Sequence, residues 1–291
     1  GGSPNAIPAV DFVRLLDTLS VAFHAENPVI SVEIDPRSFD EWWAAMLAGT
    51  NVERVSLGVQ TFAPAVQEAI GRIQPYDTIA RSVDYLRGAG VQSINFDLMY
   101  GLPHQGMAEL DDSIDKSIAL GADRIALFGY AHVPTIVPRQ RQIQAQDLPD
   151  QATRFRMAAH GYDRFVAAGY IPVGFDHFAK PGDALALAAQ DGTLRRNFQG
   201  FTEDPAEILI GLGATAISGF PDRLLQNEKN TGVYRSALEA GALPAALGVM
   251  RSAEDAAHAA VIEALLCRGT VDLARAGGSA PSRSDLAPVL S

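Results

Sequence analysis

The stretch "VQSINFDLMYG" (residues 91–101) reads as a β-strand, an apolar run that ends on a glycine turn. Before it, Ile79, Val83 and Leu86 recur at helical spacing after Pro75; after it, Leu110, Ile114 and Ile118 do the same. The pattern continues outward. "RVSLGVQ" (54–60) and "RIALFGY" (124–130) are the neighbouring strands, and "VISVEID" (29–35) is one strand further back. Phe39, Trp42, Trp43 and Met46 make a helix face between strands, and Phe12, Leu15, Leu16, Leu19 and Phe23 predict an opening helix. Strands alternating with amphipathic helices make parallel βα units, either a doubly wound sheet or a barrel. Near residue 150 the rhythm changes to a long helix (Phe155 to Val166), the strand "YIPVGF" (170–175) and polar loops rich in aromatics. This predicts an α/β domain over 1–150 and a second, α+β region over 151–291 packed against it.

The bulk numbers set limits on function. With 291 residues, 47% hydrophobic and 20% charged, the chain can bury a large core. Its longest apolar runs, such as "ILIGLGATAIS" (208–218), fall short of the roughly 18 residues that would suggest a membrane span, and no basic-then-apolar leader opens it. The expectation is a cytoplasmic protein without membrane insertion. A net charge of −11 argues against non-specific nucleic-acid binding, so a polyanionic ligand must find a local basic patch. The single cysteine, Cys267, excludes an internal disulfide framework and any all-cysteine metal site built by these residues alone. Within "VIEALLCRG" it reads as a small core residue on a helix. The tail "ARAGGSAPSRSDLAPVLS" (274–291) reads as loose or cut short.

Polar residues collect at the C-terminal ends of the strands, where parallel α/β folds bind ligands. Period two puts Glu33 and Asp35 of "SVEIDP" on one face, either as solvated carboxylates and helix caps or as acceptors for a ligand's ammonium or ribose. Gln60 and Asp97 end their strands in the same way, and Arg72 follows Gln60 as an ion-pairing or a ligand-binding arginine. "LRRNFQGF" (194–201) places Arg195 and Arg196 beside Phe198 and Phe201, either a surface turn or a site for a flat, carboxylated substrate. His132 and His177 lack partners at metal-ligand spacing. No G-x-S-x-G, H-E-x-x-H or Walker loop is present.

Taken in order and spacing, "GGSP", "SVEIDP", "LGVQTF", "INFDLMYGLP", "FGYAHVPT", "GFDHFAKPGD" and "RNFQGF" are specific. From residue 1 to about residue 270 the chain resembles the oxygen-independent coproporphyrinogen III oxidases of haem biosynthesis, radical S-adenosylmethionine enzymes. The resemblance implies a partial (β/α)6 barrel with a four-iron four-sulfur cluster on a CxxxCxxC loop after the first strand and a "GGTP" turn after the second. Gly1, Gly2, Ser3 and Pro4 match that turn, with Ser in place of Thr. It therefore implies that two strands and the cysteine loop precede Gly1, that a helical segment follows the end, and that the chain alone is inactive.

By matching motif, the binding residues for two S-adenosylmethionine molecules are Gly1, Gly2, Ser3, Glu33, Gln60, Arg72, Asp97, Ala131 and Ile217. The implied reaction is hydrogen-atom abstraction from two propionate side chains of coproporphyrinogen III by a 5'-deoxyadenosyl radical. Loss of carbon dioxide and an electron then leaves the vinyl groups of protoporphyrinogen IX. An electron donor and acceptor are implied partners, the expected state is a monomer, and Arg195 and Arg196 are candidates for the substrate carboxylates. One alternative is a haem-binding chaperone of the same superfamily. Another is an ordinary barrel enzyme with Glu33 and Asp97 as acid and base.

Overall fold

Ile94, Phe96 and Leu98 are fully buried, while Ser93, Asn95, Asp97 and Met99 between and beside them stay half-buried. That alternation, the period of two of a strand, organises the central sheet of a computed structural model that describes residues 3–272. The described residues pack as two units, one running to Leu187 and the other from Ala188 onward.

The first unit contains α1 (Ala9–Ala22), β1 (Ile30–Ile34), α2 (Glu41–Leu47), β2 (Val52–Gln60), α3 (Pro64–Ala69), α4 (Tyr76–Gly88), β3 (Ser93–Tyr100), α5 (Met107–Ala119), β4 (Arg124–Gly129), α6 (Gln151–Ala167), β5 (Ile171–Val173) and β6 (His177–Ala179). Its sheet has the order β1-β2-β3-β4-β6-β5. The first four strands are parallel, and β6 is antiparallel to both β4 and β5. The α/β class with a parallel sheet is thus observed, with β1 and β5 at the two edges. The last two strands lie beyond the change of rhythm near residue 150, yet they extend this same sheet.

Helix starts follow their caps. The Asp40 carboxylate accepts from the Trp43 amide at 2.9 Å and Asp150 from that of Thr153 at 2.7 Å, while Pro75 opens α4. One sheet face is dry: Val55, Leu57, Val59, Ile94, Phe96, Leu98, Ile125 and Phe178 join the helices' Ile79, Leu86, Leu110, Ile114 and Phe165 in one core. Each such side chain contributes about 1.5–3 kcal/mol by leaving water.

Several helix faces are narrower than periodicity suggested. In α1 only Ala9 and Phe12 are buried, and Leu15 and Phe23 are exposed. Phe39 lies in the extended turn before α2, and of the two tryptophans Trp43 faces the core while Trp42 is exposed. Strand β5 is only three residues long, with Pro172, which lacks an amide donor, at its centre.

The second unit begins as α7 (Ala184–Asp191) ends. It comprises the hairpin β7 (Arg195–Arg196) and β8 (Phe201–Thr202), the strands β9 (Ile217–Phe220) and β10 (Arg223–Asn227), α8 (Thr231–Glu239), β11 (Ala245–Met250) and α9 (Ala253–Arg268). The last three strands form an antiparallel sheet in the order β11-β10-β9. Cys267 is buried in α9, as expected of a core residue. The tail read as loose, 274–291, lies outside the described residues.

Candidate functional site

The other sheet face of the first unit is polar. Register sets Glu33 of β1 beside Ser56 of β2, and Ser56 beside Asn95 of β3. One residue pair further along, Asp97 lies beside Ala126 of β4, and Ala126 beside His177 of β6. Asp97 accepts from the Ser56 hydroxyl at 2.9 Å and from the Asn95 amide at 2.8 Å. Burial nevertheless pushes its carboxyl above the ordinary range, the two hydrogen bonds opposing the rise and the Glu33 charge adding to it. His177 is oriented by Asp176, with 2.7 Å between Nδ1 and Oδ1.

Strand β2 breaks as it reaches the C-terminal edge. Its pairing with β3 shifts between Leu57 and Gln60, and Gln60 takes a positive φ of +68°. The break frees backbone carbonyls, which polar side chains from the following turn satisfy. Arg72 Nη2 donates to the Gly58 carbonyl at 3.0 Å, and Gln74 Nε2 donates to Gly58 and Val59 at 3.1 and 2.8 Å. Gln67 Nε2 in turn donates to the carbonyls of Thr61 and Gln74, both at 2.8 Å. Gln67, Gln74 and Thr61 are buried. A Cβ on Gly58 would stand 3.1 Å from Arg72 Nη2 and 3.2 Å from Gln60 Nε2, so glycine is what lets both side chains lie across the strand.

Arg72 therefore reaches the edge from the turn after the short α3. Its Nε is buried and makes no hydrogen bond among the described residues. Burial pulls its guanidinium below the ordinary arginine range, with Asp35 opposing and the charges of Arg37 and Arg139 adding to the fall. Asp35 lies 3.8 Å from Arg72, but Arg37 takes both its oxygens, Nε to Oδ1 at 3.0 Å and Nη2 to Oδ2 at 2.6 Å. These bonds hold the Asp35 carboxyl below the ordinary range.

Ser3 starts the turn Pro4–Ala6, and Asn5 ties that turn to β1. The Asn5 amide donates to the Asp35 carbonyl at 2.8 Å, and its oxygen accepts from the Asp35 amide at 3.1 Å. Ser3 is thereby held near the same edge as Glu33. Ala131 follows β4, and Gln140 holds its carbonyl at 2.9 Å. The first unit thus gathers Ser3, Glu33, Gln60, Arg72, Asp97 and Ala131 at one end of its sheet. Gly1 and Gly2 lie outside the described residues. Asn5, Gln67 and Gln74, which build the site, carried no motif in the sequence.

Ile217 belongs to the second unit, half-buried at the start of β9. That unit has its own groove of about 390 Å³ between the hairpin and α9, lined by Arg195, Arg196, Arg251, Glu207 and Glu263 among others. Arg195 Nε donates to Glu263 at 2.8 Å, and the Arg196 guanidinium stacks 4.4 Å from the centre of the Phe201 ring. Both arginines read as substrate candidates thus have partners within the chain. Among the described residues no three His, Cys, Asp or Glu gather into a metal site, and no helix is long and apolar enough to cross a membrane.

Comparison with known proteins shows the family and the fold. The Radical SAM superfamily pattern matches residues 1–116. An oxygen-independent coproporphyrinogen III oxidase of Thermostichus vulcanus is 37% identical over 244 residues, covering 84% of this chain and 75% of that protein. The chain belongs to the oxygen-independent coproporphyrinogen III oxidase family. The Paracoccus denitrificans member is 44% identical over 272 residues, covering 92% of this chain and 59% of its own length. The solved coproporphyrinogen III oxidase of Escherichia coli superposes with a TM-score of 0.89 at 33% identity, over 95% of this chain and 64% of that one. The chain spans about three fifths of the length of the Paracoccus and Bradyrhizobium relatives.

Proposed function

We propose that this protein carries out the oxygen-independent oxidative decarboxylation of coproporphyrinogen III to protoporphyrinogen IX, with S-adenosylmethionine held at the C-terminal edge of β1 to β4. Family membership supports the reaction, and relatives named as oxidases favour it over a haem-binding chaperone. The observation that carries the assignment of the site is the convergence of Glu33, Asp97, Gln60 and Arg72 on one sheet edge.

The donor set fits the ligand. Glu33 and Asp97 are acceptors for hydroxyl and ammonium groups, Arg72 offers a buried Nε with no hydrogen-bond partner, and Gly58 lets the Arg72 and Gln60 side chains lie across the strand beside them. Bound there and cleaved by one electron from an external donor, S-adenosylmethionine would supply hydrogen-atom abstraction. The protein's part is to bind and orient. Glu33 and Asp97 hold the polar end, Arg72 pairs with a carboxylate, and the Ala131 turn offers an apolar contact. Ser3, with Gly1 and Gly2, belongs to the same proposed site, and Ile217 is proposed for the second S-adenosylmethionine. An iron–sulfur cluster finds no three-cysteine ligand set in these residues, whose one cysteine is buried in α9.

Arg195 and Arg196 enter the proposal as substrate contacts only in competition with Glu263 and Phe201. Action as a cytoplasmic monomer served by an electron donor and acceptor completes the reading. The test is calorimetric titration with S-adenosylmethionine of the wild type, Glu33→Ala and Asp97→Ala, beside an anaerobic assay of the protein purified from its native source. Each substitution should weaken binding roughly ten-fold, the loss of a charge-assisted hydrogen bond. Unchanged affinity in both variants removes these carboxylates from the site.

A further inference from the structure

The loop after β4 folds back against the turn that carries Arg72. Gln140 closes the loop from within, donating to the Ala131 carbonyl and accepting from the Val133 amide at 2.5 Å, and Arg141 donates to the Pro134 carbonyl at 3.4 Å. The Gln142 side-chain nitrogen would stand 3.7 Å from a Cβ on Gly71, the residue before Arg72. Arg139, in the same one-turn helix Pro138–Gln142, is exposed and pairs with no carboxylate among the described residues. Its charge bears on Arg72.

Like charges therefore converge where the fold does not require it. Arg72 feels the charges of Arg37 and Arg139 against those of Asp35 and Asp97; Arg37 occupies both Asp35 oxygens, and Ser56 and Asn95 take those of Asp97. In a chain of net charge −11, a local excess of guanidinium is unfavourable until an anion fills it. Arginine's planar fork suits a carboxylate in particular. The same loop exposes Val133 and Ile136, apolar neighbours for a ligand that is not a bare ion.

We propose that Arg139 and Arg72 form a two-guanidinium clamp for a carboxylate of the ligand bound at this edge. The clamp rests on the reading given under Proposed function and adds to it a residue from a different loop. The carboxylate comes from the amino-acid end of S-adenosylmethionine or from a propionate of the substrate, and the chemistry of recognition is the same.

Arg139→Ala and Arg139→Lys are compared with the wild type in equilibrium titrations of the whole chain with four probes. These are S-adenosylmethionine, its decarboxylated analogue, coproporphyrin III and the tetramethyl ester of coproporphyrin III. Arg139→Ala should weaken one carboxylated probe roughly three- to ten-fold, leave its carboxylate-free counterpart unmoved, and be partly rescued by lysine. The loss should shrink with added salt. Loss confined to S-adenosylmethionine assigns the cofactor's carboxylate, and loss confined to coproporphyrin assigns a propionate. No loss, or equal loss with and without the carboxylate, overturns the clamp. Arg72→Ala separates the two readings: if it weakens binding while Arg139→Ala does not, the clamp fails and the site stands. A wild type that binds none of the probes overturns both. Arg139 is exposed, so an unchanged unfolding midpoint is the control for folding.

Discussion

Ser56 donates its hydroxyl to Asp97 Oδ2 across neighbouring parallel strands, at 2.9 Å, while Asn95 reaches Oδ1. Two donors do not replace a full hydration shell, and burial leaves the Asp97 carboxyl above its ordinary value of 3.8. A carboxyl with a raised folded pKa binds its proton more tightly folded than unfolded. Stability is therefore lost as pH rises from the unfolded value through the folded one, and the penalty is complete at neutral pH. Asp97→Asn removes it while keeping partners for Ser56 and Asn95. At pH 7 the variant should melt higher than the wild type, and the gap should close toward pH 3. S-adenosylmethionine affinity should fall roughly ten-fold. A melting point unchanged or lowered at pH 7 contradicts the assignment of a costly charge.

Gln74 offers a second check on how the site is built. Its side chain donates to the two carbonyls where β2 breaks, Gly58 and Val59, beside Arg72 on the first and the Thr61 amide on the second. Gln74→Leu keeps the volume and removes one of the two donors on each carbonyl, at a cost of about 0.5–1.5 kcal/mol per hydrogen bond. Gln60 and Arg72 lose their seat, so binding of S-adenosylmethionine should weaken by more than the global stability loss explains. Urea unfolding and titration on the same preparation measure both. An unchanged urea midpoint shows that the break in β2 does not depend on Gln74.

The strands and the larger helices were legible because their signal is periodic and local, as with Ile79, Val83 and Leu86 on α4. Trp42 and Trp43 show where that signal ends: a helix of seven residues has too few turns to say which neighbour faces inward. Glu33, Gln60 and Asp97 were readable as residues at strand ends. Gln67, Gln74 and Asn5 were not, because what each binds is a backbone carbonyl or amide exposed by a break or turn elsewhere. Arg195 shows the converse. Its basic, aromatic surroundings suggested a ligand, but Glu263 on the remote α9 supplies a partner that no local reading reveals.

Gly101 closes β3 with φ of +79°, and a Cβ there would stand 2.9 Å from Arg154 Nε and 3.3 Å from its Cγ. Arg154 in turn donates to the Tyr130 carbonyl at 2.5 Å, where β4 leaves the sheet toward Ala131. Gly101→Ala meets both backbone strain and this side chain, and should cost about 1–2 kcal/mol. Gly101→Asn, which tolerates a left-handed conformation better, removes part of the strain but still meets Arg154. Guanidinium unfolding of both variants checks the order. If alanine is tolerated as well as glycine, the positive φ is not required.

Tyr170 makes the pH dependence of the core testable from the alkaline side. Its hydroxyl donates to the Ala122 carbonyl at 2.6 Å, and its ring packs edge-on to Phe165 with 5.7 Å between centres. The residue is 4% exposed. Burial pushes the phenol up to about 12, with the Asp123 charge adding to the rise. An acid whose folded pKa is raised favours the folded state fully below the unfolded pKa of about 10. That advantage is lost as pH climbs from 10 toward 12, because the unfolded chain can ionise the phenol and the folded one resists. Tyr170→Phe removes the hydrogen bond and leaves the Ala122 carbonyl unpaired, so near pH 8 it should be less stable by about 1–2 kcal/mol. It also removes the titration. Other groups ionise alike in both proteins, so the difference between their urea midpoints isolates this one phenol. The gap should narrow steadily above pH 10. A gap that stays constant to pH 11 means the Tyr170 phenol ionises in the fold as readily as in water, and its burial against Ala122 would then not be what holds the proton.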